Sequence, residues 1–342
     1  MRTPPFFVGI DVGGQSIKCG VVDDAGHPHS QIDVPTEAFK GQEHGLAQMA
    51  LAAEGAIKAA GLTVQEIAGI GVATPGTMDI PAGVILEPPN LRPWKNVPVR
   101  DYIQNHFGRP TTFQNDANAA AYGEYWVGAG RGARSLVLFT LGTGIGCGII
   151  VDDFIIEGAH SHGAEVGHIV IQMKDGRMCG CGQPGHLEAY ASARAIVKQA
   201  RHLLATTQRP SSLRQSAVTQ TIRQAATEDE EETLEARHAL LIFKAADAGD
   251  ELAKELVDEA AYALAIGAVD MMHTIDPDRI IFAGGMISAG PSFLERIKHY
   301  IKKHAFPVPA ARTEVLYAAL GNQAGLIGAA GCARRAGRSR ER

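Results

Sequence analysis

Four side chains within nineteen positions, His168, Cys179, Cys181 and His186, form the pattern His-x10-Cys-x-Cys-x4-His. Two soft thiolates and two imidazoles are a tetrahedral donor set suited to Zn2+. The segment between them, Arg177-Met-Cys-Gly-Cys-Gly-Gln-Pro-Gly185, is rich in glycine and has little to pack, so a metal is a credible staple for it. The rival readings are a redox pair or idle surface residues. Cys-x-Cys is less apt for a dithiol switch than Cys-x-x-Cys, and the flanking histidines favour a metal. Four protein ligands close a site, so the expected zinc is structural.

A second kind of chemistry is suggested by two glycine turns. In Val8-Gly-Ile-Asp11-Val-Gly13-Gly14-Gln15-Ser16 the glycines let backbone N–H groups approach phosphate oxygens, and Asp11 can hold a hydrated Mg2+. Much later, Leu141-Gly142-Thr143-Gly144-Ile145 repeats the layout between two apolar, β-branched runs. Gly284-Gly285, after the apolar run Arg279–Ala283, could receive a nucleotide. No Gly-Lys-Ser/Thr follows either turn, and neither reads Gly-x-Gly-x-x-Gly, which argues against a Walker loop and a dinucleotide fold. Taken singly, each turn is equally well a structural hairpin.

The elements that must hold these residues follow from periodicity. Each glycine turn sits inside a predicted β-hairpin, and two such hairpins about 130 residues apart suggest duplicated α/β lobes facing each other across a cleft. Helices are expected over 43–60, with Gly61 closing the first, over 117–126 capped by Asn115, over 187–204, 251–274, 291–301 and 323–336. Strands are expected over 67–74, 111–114 and 279–283. The small N-terminal lobe is placed at 1–118 plus about 319–342, and the large lobe at 119–318. A polar surface insertion is read at about 205–235. The acidic run Glu228–Glu232 is read as a helix first turn, with Thr227 and Glu230 as a capping box rather than a cation site.

Composition excludes other classes. The chain has 342 residues, is 45% hydrophobic and 20% charged, and has a formal net charge of −5. That balance argues against a nucleic-acid-binding surface. Five arginines between Arg334 and Arg342 are read as a solvated, frayed terminus. Five cysteines fit no disulfide framework, and Cys19, Cys147 and Cys332 read as buried reduced thiols. With no signal-like N-terminal segment and no apolar run long enough to span a bilayer, the expected partners exclude a membrane and the expected compartment is the cytoplasm.

With these motifs in place the sequence resembles the ROK family of repressors and sugar kinases over nearly its whole length, and within it the bacterial ATP-dependent glucokinases. The family's phosphate turns look like Asp11-Val-Gly13-Gly14 and Leu141-Gly142-Thr143-Gly144-Ile-Gly146. Its substrate motif resembles Glu165-Val-Gly167-His168. Its zinc motif resembles Cys179-Gly-Cys181-Gly-Gln-Pro-Gly185-His186-Leu-Glu188, with His186 in place of a cysteine, which leaves a Cys2His2 set. Gln15 stands where the family usually has threonine. The resemblance implies a two-lobed actin/hexokinase-like ATPase fold of duplicated ribonuclease H-like domains. It implies ATP with Mg2+ as donor, a hexose bound by Gly76, Asn90, Asn115, Asp116, Glu165, His168 and Glu188, and Asp116 as general base for the 6-hydroxyl. Spacing alone would make Asp116 an ordinary helix cap. His168 is expected to serve both metal and sugar through its two ring nitrogens. The family also implies a homodimer or homotetramer. Only five residues precede the first strand, so no helix-turn-helix is expected ahead of it. A sugar-binding protein without catalysis, another hexose or N-acetylated hexosamine as acceptor, and polyphosphate as donor are the alternatives.

Overall fold

The computed structural model describes residues 4–219 and 228–340. The strands are β1 (Phe6–Val12), β2 (Ser16–Asp23), β3 (Ile32–Pro35), β4 (Ile67–Thr74), β5 (Met78–Asp79), β6 (Val84–Ile85), β7 (Thr111–Asn115), β8 (Ser135–Leu141), β9 (Ile145–Val151), β10 (Phe154–Ile155), β11 (Arg279–Ala283) and β12 (Glu314–Tyr317). The α-helices are α1 (Gln42–Ala59), α2 (Val99–Phe107), α3 (Asp116–Val127), α4 (Glu188–Ala191), α5 (Ala193–Thr206), α6 (Glu228–Asp247), α7 (Glu251–Ile275), α8 (Pro291–His304), α9 (Pro307–Arg312) and α10 (Ala324–Arg340).

Two five-stranded sheets share one plan. The first has the order β3-β2-β1-β4-β7 and the second β10-β9-β8-β11-β12. In each, a glycine-turned hairpin (β1–β2, β8–β9) is extended by two later strands on one side and one on the other. β1, β4 and β7 run parallel while β2 and β3 are antiparallel additions. The internal echo in the sequence is therefore a repeat of topology, in a mixed α/β fold.

The chain divides into two compact units, residues 1–136 with 148–164 and 318–342, and residues 137–147 with 165–317. The first boundary lies well beyond the expected residue 118. The reason is α3: its Gly123 sits against the Ala324 carbonyl of α10, so the helix belongs with the chain's last segment.

In the first unit β1 shows the strict alternation of a sheet covered on both faces. Phe6, Val8, Ile10 and Val12 join Leu46, Met49 and Ala53 of α1 in one core. Phe7 points the other way, onto Leu326 and Ile327 of α10. On that second face Gly9 and Gly71 leave no room for a Cβ, because the carbonyls of Leu326 and Ala329 already occupy the place. The small residues read in the last helix permit this backbone-to-backbone seam.

In the second unit β11 is buried through Ile280–Ala283, and Phe282 stacks on Phe139 of β8 at 5.3 Å between centroids. The long helix α7 buries most of its apolar residues and is capped by Asp250, whose side chain accepts from Ala253 N. Among the described residues no helix is long and apolar enough to cross a membrane.

Three expectations are corrected. The single helix read over 187–204 is broken at Ser192, whose extended backbone and side-chain bond to Ala195 N start a new helix, α5. The described part of the expected surface insertion, 205–219, is anchored by buried Leu213 and Val218. Farther on, Glu235 and His238 of α6 are also buried, so the segment is not a loose surface addition. Thr227, the expected cap of α6, lies outside the described residues. The arginine-rich end is not frayed up to residue 340: Arg334 is only 12% exposed, pairs with Asp24 at 2.7 Å and stacks on Trp126, and Arg338 reaches the same carboxylate. The helix brings cations to an acid that the sequence separates by over three hundred residues. Cys19, Cys147 and Cys332 are buried free thiols.

Candidate active site and metal cluster

In the first unit, the turn joining β1 to β2 is closed by Gly13 N donating to Ser16 O at 2.8 Å. Thr36 braces it from just beyond β3. Its Oγ1 donates to Gly13 O at 2.7 Å and its N–H to Gln15 O at 3.0 Å. Thr36 is fully buried, and no motif pointed to it. Asp11 lies on the α10 face of β1, with its carboxylate against Gly325 in the first turn of that helix. Burial raises its pKa to about 6, against the pull of its cross-strand neighbour Lys18. The carboxylate is thus short of solvent and short of counter-charge, a setting that a divalent cation would relieve.

Farther along the same sheet, β7 delivers Asn115 and Asp116 to the N-terminus of α3. Asn115 Oδ1 accepts from Ala117 N at 2.9 Å and Asn118 N at 3.2 Å, so the expected cap is present. Asp116 Oδ1 accepts from Ala117 N at 2.8 Å. Behind the pair runs a polar chain that sequence reasoning missed. Gln114 Oε1 accepts from Asn115 N and Asn118 Nδ2, while Gln114 Nε2 donates to Glu157 at 2.7 Å. Gly76 holds a left-handed φ of 90° in the turn after β4, and Asn90 is exposed on the short 3-10 turn Pro89–Leu91.

In the second unit, Gly142 N donates to Gly144 O at 3.0 Å, which forms the turn between β8 and β9. Thr143 Oγ1 is buried and has no hydrogen-bond partner among the described residues, as expected of a hydroxyl kept for a ligand. Gly284 follows β11 with φ 91°, packed on the Leu141 backbone, and Gly285 has open space where a side chain would stand. Glu165 precedes the 3-10 turn Val166–His168, and its carbonyl accepts from His168 N at 3.0 Å.

The four predicted metal ligands converge: one donor atom from each of His168, Cys179, Cys181 and His186 lies within 4.8 Å of the others. Cys179 Sγ is 3.8 Å from His168 Nδ1 and Cys181 Sγ is 3.2 Å from His186 Nδ1. Those separations and the donor chemistry fit a tetrahedral zinc. Burial pushes the Cys179 thiol up to about 12, so an ion would have to supply the charge that deprotonates it. Because Nδ1 of His168 faces the thiols, Nε2 is left for another partner. Glu188, at the start of α4, places Oε1 3.5 Å from Cys179 Sγ.

A family model described as ROK family matches residues 7–336. The chain belongs to the ROK family. A glucokinase from Halalkalibacterium halodurans is 33% identical over 94% of this chain and 93% of its own length. The solved ROK hexokinase from Thermus thermophilus is 31% identical and covers 98% of this ROK protein, and 99% of its own chain, at a TM-score of 0.81. The ROK family glucokinase from Streptomyces griseus, solved in complex with glucose and AMPPNP, is 33% identical and covers 96% of this chain and 99% of its own, at a TM-score of 0.73.

Proposed function

We propose that this ROK protein is a sugar kinase that transfers the γ-phosphoryl group of ATP to the 6-hydroxyl of glucose, with Asp116 as general base. The observation that carries the reading is Asp116 itself, a carboxylate set at a helix N-terminus beside an asparagine whose side-chain oxygen caps that helix. A carboxylate so placed can accept the hydroxyl proton as the oxygen attacks phosphorus in line. The Streptomyces griseus relative, with glucose and an ATP analogue bound, supports both substrates.

Phosphoryl transfer asks mainly for positioning and neutralised charge. The N–H groups of the two glycine turns and Thr143 Oγ1 are the donors proposed for phosphate, and Asp11 for the Mg2+ that accompanies ATP. Gly76, Asn90, Asn115, Glu165, His168 and Glu188 are the groups proposed for the sugar ring. Each buried polar group paired with a hydroxyl adds discrimination against sugars that lack it. Structural Zn2+ is proposed on His168, Cys179, Cys181 and His186. When bound it would fix the loop 168–188 and the tautomer of His168, leaving Nε2 to hydrogen-bond the sugar.

The test is ADP release against a panel of hexoses and 2-acetamido sugars, repeated with Asp116→Asn. Turnover is expected with glucose, and the substitution should lower kcat by about 10²–10⁴-fold in a protein that melts as the wild type does. A mutant at the wild-type rate would remove Asp116 from the mechanism. No turnover with any sugar would remove the kinase.

A further inference from the structure

We infer that Glu188 positions the second glycine turn, and so ties nucleotide binding to the metal cluster in addition to any contact it makes with sugar. The inference rests on the reading of that turn as phosphate-binding. Its basis is the separate engagement of the two carboxylate oxygens. Oε2 accepts from the backbone N–H of Ile145 at 3.0 Å, the residue that ends the turn Gly142-Thr143-Gly144. Oε1 faces Cys179 Sγ at 3.5 Å.

The fit around Oε2 is tight. A Cβ on Gly144 would stand 2.5 Å from it, so a side chain there would push the carboxylate away from the turn. The same short stretch of chain grips the turn a second time. Ala193 N, exposed by the break between α4 and α5 at Ser192, donates to Gly142 O at 2.9 Å. Glu188 and Ala193 therefore clasp the two ends of one turn, and the helix break exists where the second bond is made. His186 lies two residues before Glu188, so holding that imidazole on an ion fixes the start of α4, from which the carboxylate reaches Ile145 N. The turn has no acidic residue of its own. Its placement depends on one borrowed from a metal-held loop.

The experiment is calorimetric titration of Mg·ATP into sugar-free, zinc-loaded protein. Without sugar, a residue acting only as a sugar ligand has no effect. Glu188→Ala is expected to weaken nucleotide binding about tenfold, the scale of one lost charge-assisted hydrogen bond. Glu188→Asp, one methylene short of Ile145 N, should do the same while retaining the charge. Glu188→Gln, which keeps an acceptor oxygen at full reach, should restore most of the affinity. Removing zinc with a chelator should weaken nucleotide binding in the wild type and add nothing further in Glu188→Ala, the signature of a shared path. Wild-type nucleotide affinity in both the Ala and Asp variants would overturn the inference, as would equal losses on zinc removal in wild type and Glu188→Ala. Wild-type protein that binds no nucleotide at all is a different result, and overturns the kinase reading along with this one. Should Glu188→Ala not fold, the Asp and Gln variants carry the comparison alone.

Discussion

The two glycine turns occupy the same place in two sheets of the same plan, yet they are held by opposite means. The first is braced by a neutral residue: Thr36 takes two carbonyls of the turn with a hydroxyl and an N–H. Its carboxylate, Asp11, lies inside the strand that leads into it. The second turn has no acid within it and is held from outside by a carboxylate, Glu188 Oε2 on Ile145 N. Duplicated topology thus fixes where a glycine turn goes but leaves open how it is stiffened and where the nearby negative charge is kept. The first arrangement places the cost of burying charge inside the fold, whereas the second moves it to a loop that can be ordered separately.

The largest effect that would sharpen the contrast is expected from Asp11→Asn. If Asp11 serves the cation that accompanies ATP, kcat/KM for ATP should fall by about a hundredfold or more. Stability should move the other way. The folded protein retains the Asp11 proton up to about pH 6, while the unfolded chain releases it near pH 4. The favourable contribution of the protonated group is therefore complete below about pH 4 and lost as the pH rises through about 6. Asp11→Asn should then raise stability by up to about 3 kcal/mol at pH 7, with the gain fading toward pH 4, as read by denaturant melts across that range. A variant destabilised at pH 7 would contradict the buried-charge account.

Thr36→Val comes next. It removes the hydroxyl bond to Gly13 O and leaves that carbonyl short of a partner, so a loss of about 1–3 kcal/mol is expected in thermal or urea melts. Nucleotide affinity should weaken while sensitivity to zinc removal stays as in the wild type, because zinc is argued to act on the other turn. The smallest effect is expected from Ser192→Ala. Losing the α5 cap should cost about 1 kcal/mol, and healing of the α4–α5 break would draw Ala193 N off Gly142 O. A melt and ATP affinity both unchanged would mean that the break is held by something other than the serine.

What the sequence disclosed, and what it hid, follows from the range of the interactions. The hairpins were legible because alternating apolar residues around glycine encode a local shape. The clustering of the four candidate ligands was legible because they lie within nineteen positions, and they arrive together in the structure. The Asn115 cap was readable for the same reason. Thr36 was not, since it reaches Gly13 across a gap that carries no motif. The break at Ser192 was hidden because the alanines around it favour a continuous helix, and the bond from Ala193 N to Gly142 O, made beside the serine cap, comes from a carbonyl about fifty residues earlier in the chain. The arginines of the last helix read as solvated because their partner, Asp24, stands at the other end of the chain. The first domain boundary was misplaced on similar grounds, as α3 takes its allegiance from α10.

The seam between α10 and the strands carries a consequence for biosynthesis. Gly9 and Gly71 press their backbones onto the carbonyls of Leu326 and Ala329, so one face of the first sheet, covered in part by α3, stays incomplete until residues 324–340 have left the ribosome. The long segment 165–317, which completes the second unit with 137–147, emerges before them. The unit that begins the chain is accordingly the last to be completed. Its nascent sheet must wait, half open, through translation of nearly everything between, which makes it the stage at which a chaperone would find an apolar surface to hold.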